Sequence, residues 1–119
     1  MPLRKHFPVS HAFIVAINDY DHVSSLRNAI NDAEAIAAKL ASEPHHYRVH
    51  PPLLNASYQE LQELLQETMP ATVQPEDRVL FYFAGHGVAS DSDGQDPKGY
   101  LLPKDALREN ASRSISMDL

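Results

Sequence analysis

The chain has 119 residues, 43% of them hydrophobic, a formal net charge of -6 from 10 Lys+Arg against 16 Asp+Glu, and no cysteine. This length supports one domain with a modest core. The acidic balance argues against a nucleic-acid-binding face, which needs clustered positive charge. The missing cysteine excludes disulfides, thiolate metal sites and any thiol nucleophile supplied by this chain.

Residues 1–10 read as a basic leader and 11–119 as the folded domain. The leader lacks the long apolar core of a signal peptide, and no stretch is long enough to span a bilayer, so a cytoplasmic protein is expected. From His11 to Ile17 runs a continuous apolar segment, read as a first central strand. It ends at Asn18-Asp19-Tyr20-Asp21, residues that favour turns by bonding to their own backbone. The period then changes. Leu26, Ala29, Ile30, Ala33, Ile36, Ala37 and Leu40 share one helical face, with Ser24 or Ser25 as cap and Glu43-Pro44 as the stop.

Tyr47-Arg48-Val49-His50 predicts a short edge strand ahead of Pro51-Pro52. Ser57-Tyr58-Gln59-Glu60 is a capping box opening a second helix, with Tyr58, Leu61, Leu64, Leu65 and Met69 inward and Pro70 ending it. Glu76-Asp77-Arg78 leads into Val79–Ala84, six apolar residues that suit a strand buried on both faces of a parallel sheet. Beyond it the pattern predicts an exposed loop over 89–97, an extended piece over 99–103, and a capped helix start at 114–119. Strands alternating with amphipathic helices imply an α/β fold, a three-layer αβα sandwich with a mainly parallel sheet.

The reactive candidate is His86, held between Gly85 and Gly87 at the carboxyl end of the apolar strand, where open α/β sheets place their ligand crevice. Its plain reading is a turn with a histidine cap. Asp32 has a plain reading too, a solvated helix residue or a partner for Arg27 or Lys39. The 91–96 loop fails the EF-hand pattern: its glycine comes early and Leu102 stands where a bidentate Glu is required. His45, His46 and His50 lie between prolines that disfavour a shared helical face, so no metal site is expected. Asn55-Ala56-Ser57 and Asn110-Ala111-Ser112 are formal sequons without a secretion signal. No Gly-x-Ser-x-Gly elbow supports a serine hydrolase.

Four segments in order resemble one family. They are Ala12-Phe13-Ile14-Val15-Ala16-Ile17-Asn18-Asp19-Tyr20, Leu26-Arg27-Asn28-Ala29-Ile30-Asn31-Asp32-Ala33, Asp77-Arg78-Val79-Leu80-Phe81-Tyr82-Phe83-Ala84-Gly85-His86-Gly87, and Gly99-Tyr100-Leu101-Leu102-Pro103-Lys104-Asp105-Ala106. Together they resemble the amino-terminal, histidine-bearing part of caspase-like cysteine peptidases, nearer to bacterial caspase homologues and metacaspases than to animal caspases.

The resemblance implies that His86 is the catalytic histidine and that the Gly87 N–H contributes to an oxyanion hole. It also implies that Asp32 helps line a pocket for Arg or Lys before the cut. Ala84 stands where metacaspases often carry serine. The family's cysteine follows a later strand, so the fold is expected to be incomplete at its carboxyl side and inactive alone. The expected partners are a peptide or protein substrate and a cysteine-bearing segment or complementing chain, with self-association through the open sheet edge. Nucleic acid and membrane are not expected, nor is a cofactor; the sequence leaves calcium dependence open. The alternative is a non-catalytic relative acting as an adaptor or regulatory binding module.

Overall fold

A computed structural model of the chain describes residues 8–42, 46–90, 98–107 and 115–116. Its centre is β1 (Ser10–Ala16), the strand read from the first apolar run. Six of its seven residues are buried, and it pairs on both sides. On one side β4 (Arg78–Ala84) runs parallel to it over its whole length, from Ser10 opposite Arg78 to Ala16 opposite Ala84. On the other side lie two short parallel pieces, β2 (Arg48–Val49) against His11 and Ala12, and β3 (Leu53–Leu54) against Val15 and Ala16. β3 was not expected. Pro51 and Pro52 remove two ladder donors, so one strand path along β1 is split into two.

The alternation of side chains along β1 and β4 builds two cores. Ile14, Ala16, Tyr82 and Ala84 face α1 (Ala29–Ala41), meeting Ile30, Ala33 and Ala37. Val15, Ile17, Phe81 and Phe83 face the opposite side, meeting Tyr58, Leu61, Leu64 and Leu65. The result is the expected three-layer αβα arrangement around a parallel sheet. Each large apolar side chain sealed between the layers contributes about 1.5–3 kcal/mol relative to exposure.

Several local expectations change. The buried strand is β1 and not β4, whose Val79 is 44% exposed; among the described residues β4 pairs only with β1, so it is an edge. β1 begins at Ser10, and the Val9 carbonyl accepts from Arg78 N–H at 2.9 Å, so the sheet engages residues just ahead of His11. α1 starts at Ala29 with Asn28 as its N-cap residue, not after Ser24 or Ser25, so Leu26 and Arg27 precede it. Its cap comes from outside the helix. The Asn18 side chain accepts from Ile30 N–H at 3.2 Å, so this residue serves the helix and not a turn of its own. The helix ends at Ala41; Glu43 and Pro44, read as its stop, lie outside the described residues.

The capping box is present, with Ser57 Oγ accepting from Glu60 N–H and Glu60 Oε1 accepting from Ser57 N–H. It opens α2 (Tyr58–Glu63), but Pro70 does not stop the chain. A π-helical segment (Leu64–Thr68) carries it into α3 (Met69–Thr72). Met69 N–H reaches back five residues to Leu64 O. The widened turn sits just ahead of Pro70, which lacks an N–H and would crowd the carbonyl four residues back.

β5 (Gly87–Ser90), β6 (Lys98–Leu101) and β7 (Ile115–Ser116) form a separate antiparallel sheet. Strand therefore replaces the expected loop at Ala89 and Ser90. It also replaces the expected helix start at Ile115, which is buried and faces Leu101. The acidic loop at 91–96 and the second sequon lie outside the described residues. Among the described residues no helix is long and apolar enough to cross a membrane, and no cluster of His, Cys, Asp and Glu could hold a metal ion.

Candidate active site

His86 follows the carboxyl end of β4, as its sequence position implied. Three groups hold it there. The first is Tyr20, buried at 8% exposure just beyond β1, whose ring centroid lies 4.8 Å from that of His86. One step beyond the β5–β6 register, His86 lies opposite Leu102, and Leu102 N–H donates to His86 O at 3.0 Å. The reciprocal bond expected in an antiparallel ladder is not direct. His86 N–H donates instead to Tyr20 Oη at 2.8 Å, and Tyr20 Oη–H donates to Leu102 O at 3.0 Å. The phenol is thus spliced into the ladder. Burial raises its pKa above the ordinary value, against a smaller opposing pull from the His86 N–H, so it stays a protonated donor.

The third group is the Ser24 carbonyl, 2.8 Å from His86 Nε2. A carbonyl only accepts, so Nε2 carries the proton and the neutral ring leaves Nδ1 as its basic atom. The arrangement pins one nitrogen and leaves the other able to exchange a proton.

Gly85 is where the backbone must pass close. A Cβ there would stand 2.6 Å from Tyr20 Oη and 2.9 Å from Phe83 Cζ. Gly87 begins β5 opposite Leu101. Because His86 points its carbonyl at β6, the alternation of the strand turns the Gly87 N–H away from β6, unclaimed by that ladder.

Asp32 is exposed in the first turn of α1 and makes no hydrogen bond to His86, Arg27 or Lys39 among the described residues. It lies at the same end of the sheet as His86, because its helix starts against Asn18 at the carboxyl end of β1. The loop between them is braced by Asn55, in a left-handed conformation (φ 51°), whose Oδ1 accepts from the Asn18 and Asp19 N–H groups. Lys104 pairs with Asp21 at 2.5 Å, tying this loop to the segment after β6. That bond lowers the Asp21 pKa and raises that of Lys104.

Two members of the site escaped the sequence. Tyr20 is visible as an aromatic residue after a polar turn, but nothing in that pattern announces its hydroxyl relay. The Ser24 carbonyl carries no signal, since every residue has one. Of the histidines weighed as metal ligands, His45 lies outside the described residues, and His50 belongs to a separate network with His11.

The sequence matches the caspase domain family over residues 9–117. No curated protein matches it. That match runs through both sheets and both helical layers, taking in Tyr20, Ser24 and His86: the chain belongs to the caspase-domain family.

Proposed function

We propose that the chain is the histidine-bearing part of a caspase-like cysteine endopeptidase of the metacaspase or bacterial type. Family membership supports a proteolytic function, and one observation carries the assignment of roles: His86 at the sheet's carboxyl end, with Nε2–H committed to the Ser24 carbonyl. In this scheme Nδ1 takes the proton of an incoming thiol, because the thiolate is the competent nucleophile. The thiolate attacks the scissile carbonyl, and the imidazolium returns its proton to the leaving amine. The Ser24 carbonyl stabilises the imidazolium through a charge-assisted bond. The Gly87 N–H, facing away from β6, is one donor to the oxyanion. Asp32 offers an exposed carboxylate at the same end of the sheet, which favours Arg or Lys before the cut.

The chain contains no cysteine, so the sulfur comes from residues outside it. The outer edge of β4 is open among the described residues and is the place for a further strand to bring it. The same edge favours self-association when uncovered. The missing cysteine also favours a second reading, a non-catalytic adaptor on the same fold.

One experiment separates them. The chain alone, and the chain refolded with a cysteine-bearing segment encoded beside it, are assayed on Arg/Lys and Asp peptide reporters. The enzyme reading expects no cleavage by the chain alone and cleavage after basic residues in the complemented form. That cleavage should fall by roughly 10³-fold or more in His86→Ala, and Asp32→Asn should weaken it without changing the melting temperature. Cysteine-type turnover by the chain alone, or retained turnover in His86→Ala, overturns the proposal. Failure of any such segment to restore cleavage favours the adaptor.

A further inference from the structure

At the opposite end of the parallel strands lies a group of titratable side chains that the proposed chemistry does not use. His11, in β1, is 1% exposed. Its Nε2 lies 2.8 Å from Asp77 Oδ2, and its Nδ1 lies 3.0 Å from His50 Nε2. Asp77 also accepts from two backbone N–H groups, Val9 to Oδ1 and Gln74 to Oδ2, each at 2.9 Å. The chain Asp77–His11–His50 therefore links the segment entering β4, the start of β1 and the residue just after β2. The His50 ring is stacked on Phe13 with centroids 4.3 Å apart, and its backbone N–H donates to Ala12 O at 3.0 Å.

Proton counting limits this chain. The carboxylate accepts, so His11 Nε2 carries a proton. In the neutral pair, His11 Nδ1 is bare and accepts from His50 Nε2–H. One added proton is compatible with every bond: it sits on His50 Nδ1, or the contact reverses and His11 donates through both nitrogens. A second added proton is not compatible. Both nitrogens at the 3.0 Å contact would then carry hydrogen, and the bond would become a repulsion between two cations.

We infer that the Asp77–His11–His50 chain is a proton-operated latch, which holds β2 against β1 while the histidine pair carries at most one added proton and releases it on acidification. Among the described residues the charged groups facing His50 are His11 on β1 and Arg48 on β2, both opposed to a second charge; Asp77 faces His11 from the segment entering β4. Burial, then these two neighbours, holds the His50 pKa below its ordinary value. With β2 released, an exposed imidazole at position 50 takes its proton near the ordinary value of about 6.5. Docked, the pair refuses a second added proton, so docking is complete above about pH 6.5 and weakens as pH falls. The docking constant drops by about tenfold per pH unit for the proton refused. The latch lies a full strand length away from His86, at the amino ends of β1 and β4, and does not depend on the assignment of that residue.

The test is solution NMR of the 15N-labelled chain from pH 7.5 to 5, following the His11 and His50 ring nitrogens and the hydrogen exchange of the His50 and Leu102 amides. The expected result is uptake of one proton by the pair with the His50 amide protected. Uptake of the second should coincide with loss of that protection, before the Leu102 amide loses its own. His50→Phe keeps the stack on Phe13 but cannot titrate, and should leave β2 equally protected at both ends of the range. The inference is overturned if both rings become fully protonated while the His50 amide stays protected, or if β2 protection is independent of pH in the native chain. Equal acid loss in native and His50→Phe proteins also overturns it. Should His50→Phe fail to fold, the proton count of the native pair decides alone.

Discussion

Two histidines lie at opposite ends of the same pair of parallel strands and are held in opposite ways. His11 is sealed inside the amino end, with a carboxylate at one nitrogen and a second imidazole at the other. His86 is half-buried past the carboxyl end, with a backbone carbonyl on Nε2 and its other nitrogen uncommitted among the described residues. A ring with both nitrogens engaged by fixed partners is a piece of architecture. A ring pinned at one nitrogen by an acceptor that cannot itself ionise keeps the other for proton transfer. The same side chain is thus tied at both nitrogens at one end of the sheet and at one nitrogen at the other, and the partners decide which.

The sharpest way to break this contrast is substitution of each histidine in turn. His11→Ala leaves the Asp77 carboxylate beside a cavity and should cost about 3–5 kcal/mol of stability, read from urea denaturation at pH 7.5. His86→Ala should cost about 1 kcal/mol or less in the same assay, and equal losses would erase the distinction.

Smaller, and specific to the carboxyl end, is Gly85→Ala. Its Cβ meets the Tyr20 hydroxyl, which two hydrogen bonds hold in place, and the Phe83 ring, so a loss of about 1–3 kcal/mol is expected. The His86 amide should exchange faster in that variant while the His50 amide is unchanged.

Smaller than the glycine substitution is Tyr20→Phe, which keeps the packing and deletes only the relay. His86 N–H and Leu102 O lose their shared partner, for about 1–2 kcal/mol. A variant with unaltered exchange at His86 would mean that the ladder closes without the phenol and that Tyr20 does not position the histidine.

The layers of the fold were legible because burial leaves a periodic trace. The run from His11 to Ile17 reads as a central strand, and the Ser57–Glu60 box marks a helix start that the structure reproduces bond for bond. The apolar run before His86 was read as the covered strand as well. Its composition matches that of β1, but strand order decides which of two apolar strands has neighbours on both sides, and order is a long-range property. Pro70 misled for a related reason. A proline stops a regular helix, but a π-turn ahead of it lets the chain continue, and packing of Leu64 and Leu65 against the core holds that turn in place.

The site shows the same division. His86 is a candidate because two glycines and a strand end frame it, and Asp32 is one through the family resemblance. By itself the sequence determined the alternation of strand and helix, the family, the glycine-framed imidazole and the absence of cysteine, since these reside in side-chain identity and local period. Only the tertiary structure decided that Ser24 presents a carbonyl to Nε2, that Tyr20 is spliced between His86 and Leu102, and that His11, His50 and Asp77 meet. Those contacts join residues 39 to 82 positions apart. Backbone groups and ring stacks acquire their roles from where the chain returns, which no local pattern records.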